Sequence, residues 1–375
     1  MKRILFIITG LSTGGAEMML LKLLERISRA RFSPFVITLT PPGEFAASIE
    51  AFDIPVEGAG FARGAFSPLA FWRLVARIRA MKPDIVHTWM YHADLLGGLA
   101  ARLAGVRKVV WCIRNSDLSR EKTRFYTRLT ARSCAFFSPV IPRHIISCSK
   151  AALRIHVALG YKKEKMSVIP NGFDLAHFKP DEKARHRLRA ELGIPENTPL
   201  IGMIGRFDPQ KNHQGFFMAA GFLRERFSEA RFLLAGSGVD SQNEVLREAM
   251  TQNGVNAHTH LLGLRTDIPA IMASLDVLVS ASSYGEAFPN VLGEAMSCGV
   301  PCAVTSAGDS AFIVGDTGKV VDIGDMRGLA DALAFLLSLP PAERADLGAR
   351  ARKRVAACFE IGSIVRQYED SYARL

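Results

Sequence analysis

At 375 residues the chain is too long for one ordinary hydrophobic core, so two domains are expected. With 49% apolar and 22% charged residues it has the composition of a globular protein, and no apolar run approaches the roughly 20 residues a membrane-spanning helix needs. The net charge of +11 is uneven: residues 1–170 carry 26 Lys and Arg against 11 Asp and Glu (+15), and the remaining 205 carry 21 against 25 (−4).

The first half reads as strands alternating with helices. RILFIIT (Arg3–Thr9) is a strand rather than a secretion signal, being too short for one and followed by no cleavage-like site. Gly10–Ala16, GLSTGGA, is a glycine-rich turn, and Glu17–Ala30 has apolar residues at helical spacing. PFVITLT (Pro34–Thr40) is a strand, with helical patterns near Phe45–Phe52 and over Pro68–Met81. DIVH (Asp84–His87), KVVWCI (Lys108–Ile113), HIISCS (His144–Ser149) and SVIP (Ser167–Pro170) are further strands, and His92–Gly105 is a helix of small residues. Near-continuous apolar strands alternating with helices predict a parallel sheet covered on both faces.

Residues 175–198 are polar, with Pro180 and Pro195, as a linker and short helix would be. A second alternation follows. Its strands are Leu200–Gly205, Arg231–Gly236, His258–Gly263, the run from Asp276 (DVLVSASS) and Pro301–Val304. Its helices are Gln214–Phe227, Gln242–Gln252, Pro289–Gly299 and a C-terminal run. The fold class is therefore α/β: two doubly wound parallel-sheet domains, residues 1–170 and 171–359, facing a central cleft. A last helix over about 360–375 is expected to return to the first domain. Ligands bind such sheets at the carboxyl ends of the strands and in clefts between domains.

Chemistry concentrates in two stretches of the second half. YGEAFPNVLGE (Tyr284–Glu294) sets Glu286 in a turn and Glu294 about one turn into a helix that Pro289 would open. A helix N-terminus accommodates phosphate, and carboxylates accept hydrogen bonds from sugar or ribose hydroxyls. A nucleotide sugar supplies all three groups. The blander reading is that both glutamates are solvated helix-start acids. GRFDPQKN places Arg206 at a strand end and Lys211 five residues on, with an Asp208-Pro209 turn between them. Two such cations can neutralise a diphosphate, unless the segment is a plain polar loop.

The six cysteines form no C-x-x-C pair and have no zinc spacing with histidines, so they read as buried, reduced thiols of a cytosolic protein. The segment Arg120–Arg143 interleaves Arg120, Lys122, Arg124, Arg128, Arg132 and Arg143 with Phe125, Tyr126, Leu129, Phe136 and Phe137. A basic helix with an apolar face suits an anionic membrane; an ordinary surface helix is the alternative. The basic first half fits the same partner or a diphosphate-lipid substrate. The chain carries no nucleic-acid-binding signature.

GRFDPQKN, LGLRTDIP (Leu262–Pro269), the Glu-x7-Glu stretch, IPNGFD (Ile169–Asp174) and the opening TGLSTGGAE together resemble the family 4 glycosyltransferases over nearly the whole chain. The resemblance implies the GT-B fold and retaining transfer, with an N-terminal acceptor domain and a C-terminal donor domain. It implies that Arg206 and Lys211 hold the donor diphosphate and steady the leaving group, that Glu286 contacts the donor sugar and that Glu294 binds the ribose. Donor contacts would extend to Gly14, Gly15, Leu264, Arg265 and the backbone of Ala287, Phe288, Pro289, Asn290 and Val291. In HTWMYHADLLGG, many relatives carry a second histidine where Trp89 stands here. His92 is taken as the polar group near the reacting centre and His87 as a core histidine. Arg114, Asn115 and Asp117 are the candidate acceptor contacts.

The catalytic set is thus His92, Glu286, Arg206 and Lys211. The chain has no Asp-x-Asp pair to hold a metal, so the two cations and the helix N-terminus are expected to stabilise the leaving group without metal or cofactor. The expected reaction moves a sugar from a nucleotide donor, a UDP-sugar by resemblance, to a lipid-linked or growing glycan. It would serve bacterial cell-surface polysaccharide synthesis on the inner face of the plasma membrane. A nucleotide-sugar epimerase of the same fold and a non-catalytic sugar-nucleotide-binding scaffold of a membrane assembly are the alternatives.

Overall fold

The computed structural model describes residues 1–12, 14–62, 66–119 and 123–375. The chain divides into two compact units, Met1–Gly172 with Ile361–Leu375, and Phe173–Glu360.

Unit 1 is built on β1 (Lys2–Ile8), β2 (Phe32–Thr38), β3 (Val56–Gly58), β4 (Ile85–Trp89), β5 (Val109–Ile113), β6 (His144–Ser147) and β7 (Met166–Val168). Among the described residues these form a sheet in the order β3-β2-β1-β4-β5-β6-β7, with every pairing parallel. Ile4 to Ile8 are completely buried. Each such aliphatic side chain contributes about 2 kcal/mol by leaving water. The connecting helices are α1 (Gly15–Arg26), α2 (Phe45–Glu50), α3 (Pro68–Met81), α4 (Gly98–Leu103), α5 (Phe125–Phe137) and α6 (Lys150–Leu159). A single π-helical turn, Ala93–Gly97, precedes α4. Local sequence sets the helix ends. The Ser67 hydroxyl accepts from the Ala70 N–H with Pro68 at the first position, and Ser149 caps Ala152 in the same way before Gly160 ends α6 in left-handed geometry.

Unit 2 contains β8 (Leu200–Ile204), β9 (Arg231–Ala235), β10 (Thr259–Leu261), β11 (Val277–Ser280), β12 (Cys302–Thr305) and β13 (Lys319–Val321). Their order is β10-β9-β8-β11-β12-β13, again parallel throughout the described residues. Its helices are α7 (Glu182–Glu191), α8 (His213–Arg224), α9 (Glu244–Gln252), α10 (Ile268–Ser274), α11 (Asn290–Ser297), α12 (Ser310–Val314), α13 (Met326–Ser338) and α14 (Pro341–Cys358). α15 (Ile361–Ala373) then packs on α1 in unit 1. The fold is thus two Rossmann-like parallel-sheet domains.

The structure refines several expectations. Residues 175–198 are more than a linker. In α7 the buried Arg189 bonds Asp276 Oδ2 (2.7 Å) and the carbonyls of Pro195, Glu196 and Thr198, tying the segment to the start of β11. The helix expected from His92 begins instead as the π-turn. Asp94 in that turn accepts from Thr88 Oγ1 (2.5 Å) and the Cys112 N–H (3.3 Å), so side-chain bonds to β4 and β5 dictate the local winding. α11 starts at Asn290, because Pro289 is extended (ψ 112°) and serves as the residue before the helix. Five cysteines are buried, but Cys358, expected inside, is exposed at the end of α14. Among the described residues no helix is long and apolar enough to cross a membrane.

Candidate functional site

In each sheet the strand order reverses at one point, between β1 and β4 in unit 1 and between β8 and β11 in unit 2. Loops leaving neighbouring strands there diverge and open a crevice at the carboxyl ends. The residues selected from sequence leave these strands. Gly14 and Gly15 follow β1, His92 follows β4, Arg206 and Lys211 follow β8, and Glu286 follows β11.

In unit 2 the loop after β8 closes on itself. Asp208 accepts from the Gln210 N–H (2.9 Å) through Oδ1 and from Arg206 Nε (3.1 Å) through Oδ2. This turn projects Lys211 toward the neighbouring loop. There Lys211 Nζ donates to Glu286 Oε1 at 2.6 Å, and Ser282 Oγ donates to the same oxygen at 2.8 Å. The pair is sheltered, with side chains 18% and 7% exposed. A sheltered ion pair loses several kcal/mol when one partner is removed, because the other is left desolvated and alone. The two loops are also joined through backbone, since the Ser283 N–H donates to the Gln210 carbonyl (2.9 Å).

Two glycines make the turn around Glu286 possible. Gly285 has φ +72°, where a side chain is strained. Gly308 has φ +60°, and a Cβ there would strike the Glu286 carbonyl. Phe288 is held by stacking on Phe173 (centroids 6.3 Å) and by an edge contact with Phe359 (5.4 Å). Its ring therefore belongs to the core, and the main chain of Ala287–Val291 is what a ligand could meet. α11 follows, with Glu294 half-buried in its second turn and the positive end of its dipole toward the loop.

The other expected donor residues are arranged less directly. Arg206 has its side chain 59% exposed and paired with Asp208. Leu264 is exposed. The Arg265 guanidinium is forked onto Asp267 (2.8 and 2.7 Å) and also bonds Glu191 (3.1 Å), so three carboxylate contacts occupy it. These contacts raise its proton affinity.

In unit 1, Gly14 precedes α1 in extended geometry (φ −168°) and Gly15 is the first helical residue. Glu17, in the first turn, has its carboxyl pushed above the usual range by burial, a shift opposed by its own backbone N–H and by nearby Arg114. His92 is half-buried, and burial lowers its pKa. His87 is fully buried with Nδ1 2.8 Å from the Tyr372 hydroxyl of α15, the setting of a core histidine. Trp89 is also buried, stacked on Tyr368 (6.2 Å) beneath the Arg114 guanidinium (4.9 Å from the ring). Arg114 Nη2 donates to Asn171 Oδ1 (2.6 Å). Asn115 bonds the Asp117 main chain, through the Asp117 N–H to Asn115 Oδ1 (3.0 Å) and Asn115 Nδ2 to the Asp117 carbonyl (3.1 Å), and the Asp117 carboxylate accepts from the Ser119 N–H (2.7 Å). Those bonds shape the loop after β5.

The structure therefore joins Lys211 and Glu286 directly; it leaves Arg206, Asn115 and Asp117 with partners nearby in the chain and Arg265 with Asp267 and the distant Glu191. Ser282 was not foreseen; its one sequence signal is its place among the small polar residues that end β11. Asp94 was also missed. Its carboxyl is wholly buried and its pKa stands well above the usual range, chiefly through burial.

Comparison with known proteins follows the same division. Residues 13–177 match the family described as Glycosyltransferase Family 4, and residues 184–354 match Glycosyl transferases group 1. EpsF of Bacillus subtilis (strain 168), a protein assigned to the glycosyltransferases, is 30% identical over 320 residues, which is 82% of this chain and 79% of that one. The Escherichia coli UDP-Gal:alpha-D-GlcNAc-diphosphoundecaprenol alpha-1,3-galactosyltransferase is 29% identical over 293 residues, covering 76% and 74%. The crystal structure of Anabaena Alr3699/HepE in complex with UDP superposes over the full length of both chains with a TM-score of 0.86 at 24% identity.

Proposed function

The chain belongs to the family 4, group 1 glycosyltransferases, and from that premise we propose that it transfers a sugar from a UDP-sugar to a lipid-linked or growing glycan, retaining the anomeric configuration and using no metal ion. The observation that carries this reading is the Lys211–Glu286 pair at the switch point of unit 2. Breaking the bond between sugar and nucleoside diphosphate builds negative charge on the leaving oxygen. Lys211, Arg206 and the α11 N-terminus supply positive charge where that oxygen would leave, the role a bound cation would otherwise serve. Glu286 positions the donor sugar through its hydroxyls. One of its oxygens already accepts from an ammonium and a hydroxyl, which argues against its acting as a covalent nucleophile. Glu294 takes the ribose, and the Leu264-Arg265 loop lines the base with its main chain. His92, kept neutral by burial, is assigned the polar contact near the reacting carbon, and Arg114 a contact to the acceptor.

The E. coli relative acts, by its name, on a UDP-sugar and a diphosphoundecaprenol-linked sugar. A similar acceptor suits the basic unit 1, whose α5 carries Phe125, Leu129 and Phe136 exposed along one stripe with Arg132 between them. That helix is assigned to contact with the inner face of an anionic membrane. Arg120 and Lys122, counted with it in the sequence, lie outside the described residues.

The test incubates the protein with UDP-galactose, UDP-glucose or UDP-N-acetylglucosamine and a diphosphate-lipid-linked N-acetylglucosamine, in EDTA, with NMR of the new linkage. The expected result is transfer with an α linkage. Transfer that needs added magnesium overturns metal independence, and a β linkage overturns retention. Nucleotide binding with no transfer to any such acceptor favours the scaffold.

A further inference from the structure

α5 is not alone in exposing aromatic residues. α3 buries Ala70, Phe71, Leu74, Val75, Ile78 and Met81 and turns the opposite stripe to solvent, with Leu69 61% and Trp72 59% exposed. Phe66, just before the helix, is 62% exposed. The three form a supported patch. Phe66 packs on Phe71 (6.1 Å) and Trp72 meets Phe71 edge to face (5.7 Å), so an inward-facing ring holds the outward ones. Contiguous exposed rings of this kind mark an interaction site.

Three features indicate the occupant. α3 contains no acidic residue, and Arg73 lies exposed beside Trp72 with Arg79 further along; Arg77 is taken up by the Glu57 carboxylate. The unit as a whole carries the positive excess. α3 leads from β3 to β4 and α5 from β5 to β6, both moving in the same direction along the sheet. Right-handed crossovers then put both helices on one face with their N-termini at the carboxyl edge. α3 packs on α4 and α5 on the π-turn, so the two flank the connection that carries His92. Aromatic rings beside arginines on two neighbouring helices suit the interface of an anionic bilayer.

We infer that α3 is a second membrane-insertion element, with Phe66, Leu69 and Trp72 entering the interfacial layer beside α5. This rests on the bilayer reading of α5. Two insertion helices restrict how unit 1 can roll on the bilayer, and Phe66, Leu69 and Trp72, at the N-terminal end of α3, bring the carboxyl edge of unit 1 to the lipid surface, where a lipid-linked acceptor presents its head group.

The chain supplies its own reporter. Of its three tryptophans, Trp89 and Trp111 are fully buried, which leaves Trp72 as the exposed one. The intact protein is mixed with vesicles of phosphatidylglycerol and phosphatidylcholine, and with phosphatidylcholine alone. Flotation and tryptophan emission with acrylamide quenching are then followed. The expected result is binding to the anionic vesicles, with emission moving to shorter wavelength and quenching falling. The Trp72→Phe variant should still bind and lose that response. Leu69→Glu with Trp72→Glu should weaken vesicle binding by about tenfold or more and leave transfer to a water-soluble acceptor unchanged. Binding with unchanged Trp72 emission overturns the inference and leaves the α5 reading standing. Absence of binding to either vesicle overturns both. Shielding of Trp72 that grows with protein concentration and needs no lipid assigns the face to a second copy of the chain and overturns the inference.

Discussion

At the switch point of unit 2, a lysine from the loop after β8 grips a glutamate from the loop after β11. At the corresponding point of unit 1, the groups following β1 and β4 are Glu17, His92 and Asp94, and burial drives each of them toward its neutral form. Unit 2 is built of opposed charges and unit 1 of desolvated neutral groups with exposed rings on its outer helices. The difference is the one the proposed function calls for. On the proposed division, the donor diphosphate must be met by charge at the reacting centre itself, whereas the acceptor brings a sugar hydroxyl there and carries its own diphosphate and lipid further out, toward the basic outer helices.

The largest effect expected from this comparison is on Lys211. Lys211→Ala should lower kcat/KM for transfer by about 10²- to 10³-fold, the usual cost of removing one group that stabilises a leaving oxyanion. A loss under tenfold in a steady-state transfer assay would remove the charged side of the comparison.

Next comes acid stability, which both units share. His156 in unit 1 and His213 in unit 2 are buried, and burial holds both at about 4, below the usual 6.5. The unfolded chain takes up their protons below 6.5 and the folded chain does not. Their contribution is therefore present above pH 6.5 and is lost as the pH falls toward 4, by about 3 kcal/mol for each group at most. Urea midpoints at pH 7.5 and 4.5 measure it. The Tyr91–His156 bond (2.7 Å) ties the unit 1 share to the helices beside the π-turn, so His156→Phe should flatten part of the pH slope.

Gly308→Ala should cost roughly 1–3 kcal/mol of stability through backbone strain and lower donor affinity by shifting the Glu286 turn. Thermal melts with and without UDP separate the two effects. If stability falls and UDP binding does not, the glycine serves the fold alone.

The smallest effect concerns Asp94. Its folded pKa is raised, so ionisation above the ordinary carboxyl range works against folding. Asp94→Asn keeps an acceptor for Thr88 and Cys112 and removes that penalty, so unit 1 should gain stability at pH 8 relative to pH 5. A variant less stable at both pH values would mean that an amide NH2 in place of the buried Oδ2, which has no hydrogen-bond partner, costs more than the charge it removes.

Much of this was legible in the sequence because it rests on local pattern. Strands such as Ile4–Ile8 sit inside a parallel sheet covered on both faces, so they read as unbroken apolar runs. The Glu286–Glu294 and Arg206–Lys211 spacings follow from one strand, one turn and one helix apiece. What was not legible depended on distant partners. The Arg265 side chain bonds Glu191, 74 residues earlier, a contact that no local pattern announces. β3 and β13 are three residues long and carry exposed residues, so they show no apolar run. The π-turn arises from a buried carboxyl that bonds two strands. Whether Trp72 faces inward or outward depends on how α3 lies on the sheet, and its neighbours in sequence do not fix that.

The chain crosses from one unit to the other twice, and the crossings lie side by side: Phe173 and Glu360 form a parallel bridge, and the Phe173 N–H donates to the Phe359 carbonyl. Unit 2 is thus inserted into unit 1 rather than strung after it. During synthesis, the core that encloses His87 waits for Tyr368 and Tyr372, so it can close only after the whole of unit 2 has left the ribosome. A nascent chain halted after unit 2 has emerged and before α15 has would carry a completed second unit and an open first unit whose apolar strands invite chaperones.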